Sequence, residues 1–162
     1  MNKQAWWRGP RGEWYVVVQF FLFGLLVFGP KTVAGVGRWG GPWANISLVL
    51  GLLLGLIGAA FIGLGLIYLG RNLTAVPHPK EDATFVESGA YALVRHPIYC
   101  GILFAALGYA LAWASVFTLF YALILFIFFD RKTRREEKYL RQKFPGYAAY
   151  QQRVARLIPF VY

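Results

Sequence analysis

Between Pro97 and Phe129 the chain runs for 33 residues without one Asp, Glu, Lys or Arg. As a single α-helix that run would be about 50 Å long, against a hydrocarbon core of about 30 Å. Ala112-Trp113-Ala114-Ser115 offers a break, so the expectation is a helix hairpin of two rather short spans. Two further charge-free runs precede it. Trp14 to Pro30 is 17 residues, at the lower limit for one crossing, and Ala44 to Gly70 is 27, enough for a tilted span. With 58% hydrophobic and 15% charged residues, this composition does not suit an ordinary water-soluble domain. The 19% of aromatics fits interfacial belts. One membrane domain over residues 1–162 is expected: two N-terminal spans (1–70) and a second half (71–162) holding the chemistry.

The distribution of cations chooses between three crossings and four. Lys3, Arg8 and Arg11 precede the first run, Lys31 and Arg38 follow it, Arg71, Lys80 and Arg95 follow the second, and nine cations follow Phe129. Four crossings place 15 of the 17 on one side, whereas three would set the basic tail opposite Arg95, against the positive-inside rule. The expected fold class is therefore an all-α integral membrane protein. It would have four transmembrane helices, the last two a hairpin, with further C-terminal helices in the cytoplasm and both termini cytoplasmic. The formal charge of +10 serves topology and anionic headgroups better than nucleic acid, because the cations flank apolar spans. Membrane lipids are thus expected partners, and nucleic acid is not. Cys100 is the only cysteine, so there is no internal disulfide. The polar start MNKQAWWRGPRGEW does not read as a cleavable signal.

In the second run Gly51, Gly55, Ala59 and Gly63 fall four residues apart, which reads as a smooth ridge for close helix packing. The segment RNLTAVPHPKEDATFVESGAY that follows is long for a connector in so compact a chain, and such loops are more often functional than idle. DRKTRREEKYLRQKF reads as a basic amphipathic helix leaving the membrane, ended by Pro145-Gly146, and YAAYQQRVARLIPFVY adds a second short helix.

Two places stand out chemically. YALVRHPIY, residues 91 to 99, sets Arg95, His96 and Pro97 at the mouth of the longest run, bracketed by Tyr91 and Tyr99. Proline alone reads as a helix start, but ionisable groups at the edge of a bundle are a functional hypothesis by default. The second place is Glu136-Glu137. Arg141, four residues on, would pair with Glu137, which leaves Glu136 spare. Four crossings put both places at one mouth, 40 residues apart in sequence. Carboxylate, imidazole, guanidinium and phenol groups beside lipid would suit a cofactor carrying both a cation and a carboxylate. There is no GxGxxG in strand–helix context, no P-loop and no HExxH, and two isolated histidines without cysteine pairs argue against a metal.

GAYALVRHPIYCG, then EEKYLRQKFPGYAAYQQRV, then IPF resembles the isoprenylcysteine carboxyl methyltransferase family and the related phospholipid methyltransferases, over about residues 71 to 160. The resemblance implies S-adenosylmethionine as methyl donor, and a lipophilic or prenylated acceptor entering from the bilayer. It implies cofactor contacts from Tyr91, His96, Pro97, Tyr99 and Glu136, and from the backbone around Thr84, Phe85 and Val86. Arg95, Lys132 and Glu137 would serve the reacting groups. By spacing, Lys132 takes the place of the basic residue that the family uses near its substrate; where relatives carry Arg there, a Lys would lose bidentate carboxylate recognition. A bacterial inner membrane is the expected location. An NADPH-dependent membrane reductase of similar architecture, or a non-enzymatic protein binding lipid or a partner, are the rival readings.

Overall fold

The computed structural model describes residues 12–35 and 37–162. Lys3, Arg8 and Arg11 lie outside them. Helix α1 spans Trp14–Phe28, α2 Pro42–Leu69, α3 Ala90–Leu93, α4 Pro97–Ala112, α5 Val116–Lys143 and α6 Tyr147–Arg153; a 3-10 turn, Gly70–Asn72, extends α2. The described residues are all-helical, with two isolated bridges, Arg38 with Ser115 and Val94 with Ala155, in place of any strand. One helix, Pro42–Asn72, is long and apolar enough to cross a membrane by length and composition, with a mean hydropathy of 2.5. Trp14–Phe28 and Pro97–Ala112 are shorter apolar helices.

Local chemistry sets the helix ends. Proline opens both α2 and α4 at the first turn, where its missing N–H is no loss. The long run is interrupted at Trp113–Ser115. Ala114 takes a positive φ of 49°, and Ser115 caps α5, its Oγ accepting from Thr118 N at 3.5 Å. Ser115 Oγ also donates to Lys31 O at 2.6 Å, and Arg38 Nε to Trp113 O at 3.1 Å, so the connector after α1 holds the α4–α5 turn. α5 then runs unbroken from its apolar half into the basic segment and stops at Phe144, ahead of Pro145.

The tightest packing is between α2 and α4, and it uses backbone against backbone. A Cβ placed on Gly51 would fall 2.5 Å from Gly108 O, and one on Gly58 2.6 Å from Gly101 O. One on Gly65 would fall 2.7 Å from Ile98 Cγ1. The sequence reading of this ridge needs correcting in its register. Gly51 belongs to the seam and Gly55 touches it through its backbone, a Cβ on Gly108 falling 2.9 Å from Gly55 N. A Cβ on Gly55 or Gly63 itself, however, meets nothing within 4 Å, and Ala59 is exposed. At 3.6 residues per turn, four-residue steps drift about 40° each around the helix, whereas seven-residue steps drift about 20°. Gly51, Gly58 and Gly65 therefore stay on one face. A second core lies between α1, α4 and α5, where Leu22, Leu26, Ala106, Ala110, Leu125 and Phe129 are buried.

Candidate active site

The segment between α3 and α4 is where apolar packing gives way to charge. Val94 is extended, and the segment it opens lies beside the chain that leaves α6: Arg95 N donates to Ala155 O at 2.8 Å and His96 N to Arg156 O at 3.2 Å. This pairing turns two side chains with strong hydration needs inward, leaving Arg95 9% and His96 6% exposed. Burial on that scale demands partners. They come from the far end of α5 and from α6. Arg95 Nε donates to Glu137 Oε1 at 2.7 Å, and its Nη1 donates to Gln151 O at 3.0 Å and to Val154 O. His96 Nε2 lies 3.3 Å from the same Glu137 oxygen. Glu137 Oε2 accepts from Gln151 Nε2 at 2.9 Å and lies 3.4 Å from Arg156 Nε. Burial alone would raise the Glu137 carboxyl; hydrogen bonds and charge from His96 and Arg95 overcome it and hold the group at about 2. The expected helical pair of Glu137 with Arg141 is replaced by this longer-range knot.

In front of the knot is a cavity of about 450 Å³, within the range of small-molecule sites. Tyr91, Arg95, His96 and Tyr99 form one wall, and Lys132 and Glu136 of α5 face them. The loop contributes Thr84, Phe85 and Val86, positioned by Asn72, whose Oδ1 accepts from Thr84 N at 3.0 Å and whose Nδ2 donates to Thr84 O and Oγ1 at 3.1 Å. Lys143 Nζ pins the same loop to the end of α5 through Lys80 O, and through Glu81 O at 2.7 Å. Phe85 stacks on Phe144 with ring centroids 5.5 Å apart. Nine of the eleven site residues named from sequence thus line one cavity. Glu137 stands behind the wall, and Pro97 packs against Gly65 of the helix seam.

Glu136 and Glu137 are adjacent yet differently placed. Glu136 Oε2 accepts from Tyr99 OH at 3.1 Å, and its other oxygen has no protein partner among the described residues. Tyr99 in turn stacks between His96 (5.7 Å) and Phe129 (4.9 Å). Lys132, 1% exposed, donates to Gln19 Oε1 at 2.6 Å and Ala75 O at 3.0 Å. Its ammonium lies 5.0 Å from the centre of the Tyr99 ring. Burial lowers Lys132 to about 8, with Glu136 opposing part of that shift.

Several lining residues were not named from the sequence. Tyr147 and Tyr150 of α6 belong to the wall. Tyr150 OH donates to Tyr91 O at 2.5 Å, whereas the buried Tyr147 hydroxyl has no hydrogen-bond partner among the described residues. Burial and the nearby Glu137 and Glu136 charges raise the Tyr147 phenol well above its usual range, so it is a neutral donor. Gln19 of α1 is another such lining residue. The readable signal was one amide in the middle of a hydrocarbon-length run.

The sequence profile of the isoprenylcysteine carboxyl methyltransferase (ICMT) family matches residues 49–142. The match begins inside α2 and spans Gly51, Gly58 and Gly65 of the seam. The chain is 31% identical over 149 residues to the cobalt-zinc-cadmium resistance protein CzcN of Cupriavidus metallidurans, covering 91% of this chain and 62% of that one. It is 33% identical over 116 residues to a probable protein-S-isoprenylcysteine O-methyltransferase of Oryza sativa subsp. indica, covering 69% of this chain and 61% of the relative. With the protein-S-isoprenylcysteine O-methyltransferase of Saccharomyces cerevisiae it shares 32% over 121 residues, 72% of this chain and 51% of the relative. The chain thus spans between half and about three fifths of these relatives.

Proposed function

The chain belongs to the isoprenylcysteine carboxyl methyltransferase family, and from that membership and the cavity between α4 and α5 we propose that it transfers a methyl group from S-adenosylmethionine to a lipophilic acceptor. The observation that carries the proposal is one cavity joining Tyr91, His96 and Tyr99 to Lys132 and Glu136. The residues fit such a donor. Among the described residues the buried Tyr147 hydroxyl has no partner and Glu136 keeps one oxygen free, and aromatic faces for a sulfonium or a purine line the same cavity. When bound, S-adenosylmethionine supplies an electrophilic methyl group to an in-line displacement.

The work left to the protein is positioning and exclusion of water. Glu136 would hold the amino group or hydroxyls of the donor, steadied by Tyr99 OH. Arg95 is anchored through Nε and Nη1, which leaves Nη2 to face a carboxylate. Thr84, Phe85 and Val86 would close over the bound molecule, held by Asn72 and Lys143. Lys132, tied to α1 through Gln19, would meet the acceptor; near neutral pH its charge attracts an anion such as an isoprenylcysteine carboxylate. Glu137 keeps Arg95 and His96 in place from behind.

The topology belongs to the same proposal. α1, α2, α4 and the apolar half of α5 make four crossings, α4 and α5 form a hairpin, and the mouth opens on the cytoplasmic face of a bacterial inner membrane with both termini inside. Calorimetric titration of the detergent-purified protein with S-adenosylmethionine, and with NADPH in parallel, tests the reading. Saturable binding of the sulfonium, weakened by Glu136→Ala, is expected. A protein that melts cooperatively and binds only NADPH would replace this reading with the reductase.

A further inference from the structure

On the side of α5 away from the cavity lies a second concavity, a groove of about 940 Å³ between α1 and α5. Its two halves differ in chemistry. Toward the middle of the helices it is apolar, lined by Val18 and Leu22 of α1 and by Ile124, Ile127 and Phe128 of α5. Toward the end of α5 it is cationic, lined by Arg131, Arg134, Arg135 and Lys138. The spacing of these four, i, i+3, i+4 and i+7, puts them on one helix face. Between the halves stand Trp14 and Tyr15, residue types that favour the headgroup level of a bilayer. Arg134 is engaged by Asp130 at 2.8 Å, and the Arg135 guanidinium lies 5.7 Å from the Tyr15 ring. Arg131 and Lys138 are exposed and have no ion pair or hydrogen bond among the described residues. Residues 1–13 contain three cations and one acid, Glu13 at the N-cap of α1, so the sequence preceding α1 adds net positive charge.

We infer that this groove is a site for one anionic phospholipid, its phosphate between Arg131 and Lys138 and an acyl chain along Val18, Leu22 and Ile127. The charge selects the occupant: a zwitterionic lipid would bring a quaternary ammonium to a face that already carries four cations, whereas a phosphatidylglycerol headgroup brings its phosphate charge with no cation beside it. The site has a consequence for the cavity. α1 holds Lys132 through Gln19, and a lipid wedged between α1 and α5 fixes the helix that carries that amide.

The test is binding, so it stands apart from whether the chain transfers methyl groups. The purified protein in nonionic detergent is titrated with short-chain phosphatidylglycerol or phosphatidylcholine, with retained lipid counted by native mass spectrometry and the melting temperature followed. One retained phosphatidylglycerol and a rise in melting temperature are expected, with no matching effect of phosphatidylcholine. Removing two cations in Arg131→Gln/Lys138→Gln should weaken binding about 25-fold, roughly five-fold for each charge at a bilayer surface. The charge-keeping Arg131→Lys/Lys138→Arg should retain it. Ile127→Trp, which fills the apolar half without altering charge, should also weaken it. Equal retention of both lipids, an unaffected glutamine double variant, or an unaffected Ile127→Trp would each overturn the site, the last by showing diffuse surface attraction instead of a groove.

Discussion

The seam between α2 and α4 and the knot around Glu137 both hold distant parts of the chain together, by opposite means. The seam joins the first half to the second, and the knot ties the start of α4 to the end of α5 and to α6. The seam works through missing side chains: Gly51, Gly58 and Gly65 let two helices meet backbone to backbone, and dispersion at close range does the rest. The knot works through side chains that can be buried only together, since Arg95, His96, Gln151 and Arg156 all converge on one carboxylate. A seam tolerates loss of atoms and resists their addition. The knot should show the reverse, and the two regions can be set against each other by mutation.

The largest effect is expected at the knot. Glu137→Ala would strand the buried Arg95 guanidinium and remove the partner of His96. Breaking a buried pair from one side costs about 3–5 kcal/mol, so the variant should melt far below wild type in detergent. Glu136→Ala, one residue away on the cavity side, should keep its melting temperature and lose affinity for the sulfonium donor. Equal stability of the two variants would mean that the knot contributes little and that Glu137 is only a second wall residue.

Titration probes the same contrast without mutation. The Glu137 carboxyl is held at about 2, below its ordinary 4.5. Its contribution is therefore full above pH 4.5 and is lost as pH falls from there toward 2. Lys132 behaves in the opposite sense. Its folded value of about 8 lies below the ordinary 10.5, so the folded state sheds the proton first and stability rises between pH 8 and 10.5. Melting curves across both windows should show an acid loss that disappears in Glu137→Ala and an alkaline gain that disappears in Lys132→Met.

At the seam the expected effect is smaller and its sign depends on register. Gly58→Ala forces a Cβ to 2.6 Å from Gly101 O and 2.8 Å from Ala105 N. Neither atom can swing aside, and overpacking of this kind costs about 1–3 kcal/mol. Gly55→Ala, three residues earlier, meets nothing within 4 Å and should be neutral, or stabilising by up to about 1 kcal/mol through helix propensity. If Gly55→Ala proves the more damaging of the two, the four-residue ridge is the true interface.

That pair of glycines also shows what was legible beforehand. The start of α4, the break before α5 and the end of α5 could be read, because Pro97, Ser115 and Pro145 are local signals. Other ends were displaced: α2 starts at Pro42, two residues ahead of the run read from Ala44, and α6 ends at Arg153, well before Pro159. The cavity wall at residues 91–99 was readable because ionisable groups there interrupt an apolar text, and most of those residues do face one space. Register was harder, since a row of small residues admits several spacings and only the partner helix selects one. Partnership was hardest. Glu137 has a plausible cation four residues away in Arg141, and nothing local says that its partner is Arg95, 42 positions back. The roles of Gln151, on α6, and of Arg156, just after it, follow from how that short helix and its exit lie against α5, which no local pattern announces.

The smallest predicted effect separates holding from binding within the cavity itself. Tyr99 touches both regions: its ring is stacked between His96 and Phe129, and its hydroxyl donates to Glu136 at 3.1 Å. Tyr99→Phe keeps the stack and deletes one hydrogen bond, with a net cost of about 1 kcal/mol. That cost should fall on ligand affinity, about five-fold in a titration with S-adenosylmethionine, because the freed carboxylate would still face the cavity but no longer be aimed. The melting temperature without ligand should barely move. A drop in melting temperature with affinity intact would assign Tyr99 and Glu136 to the same structural knot as Glu137, and the boundary between the two carboxylates would disappear.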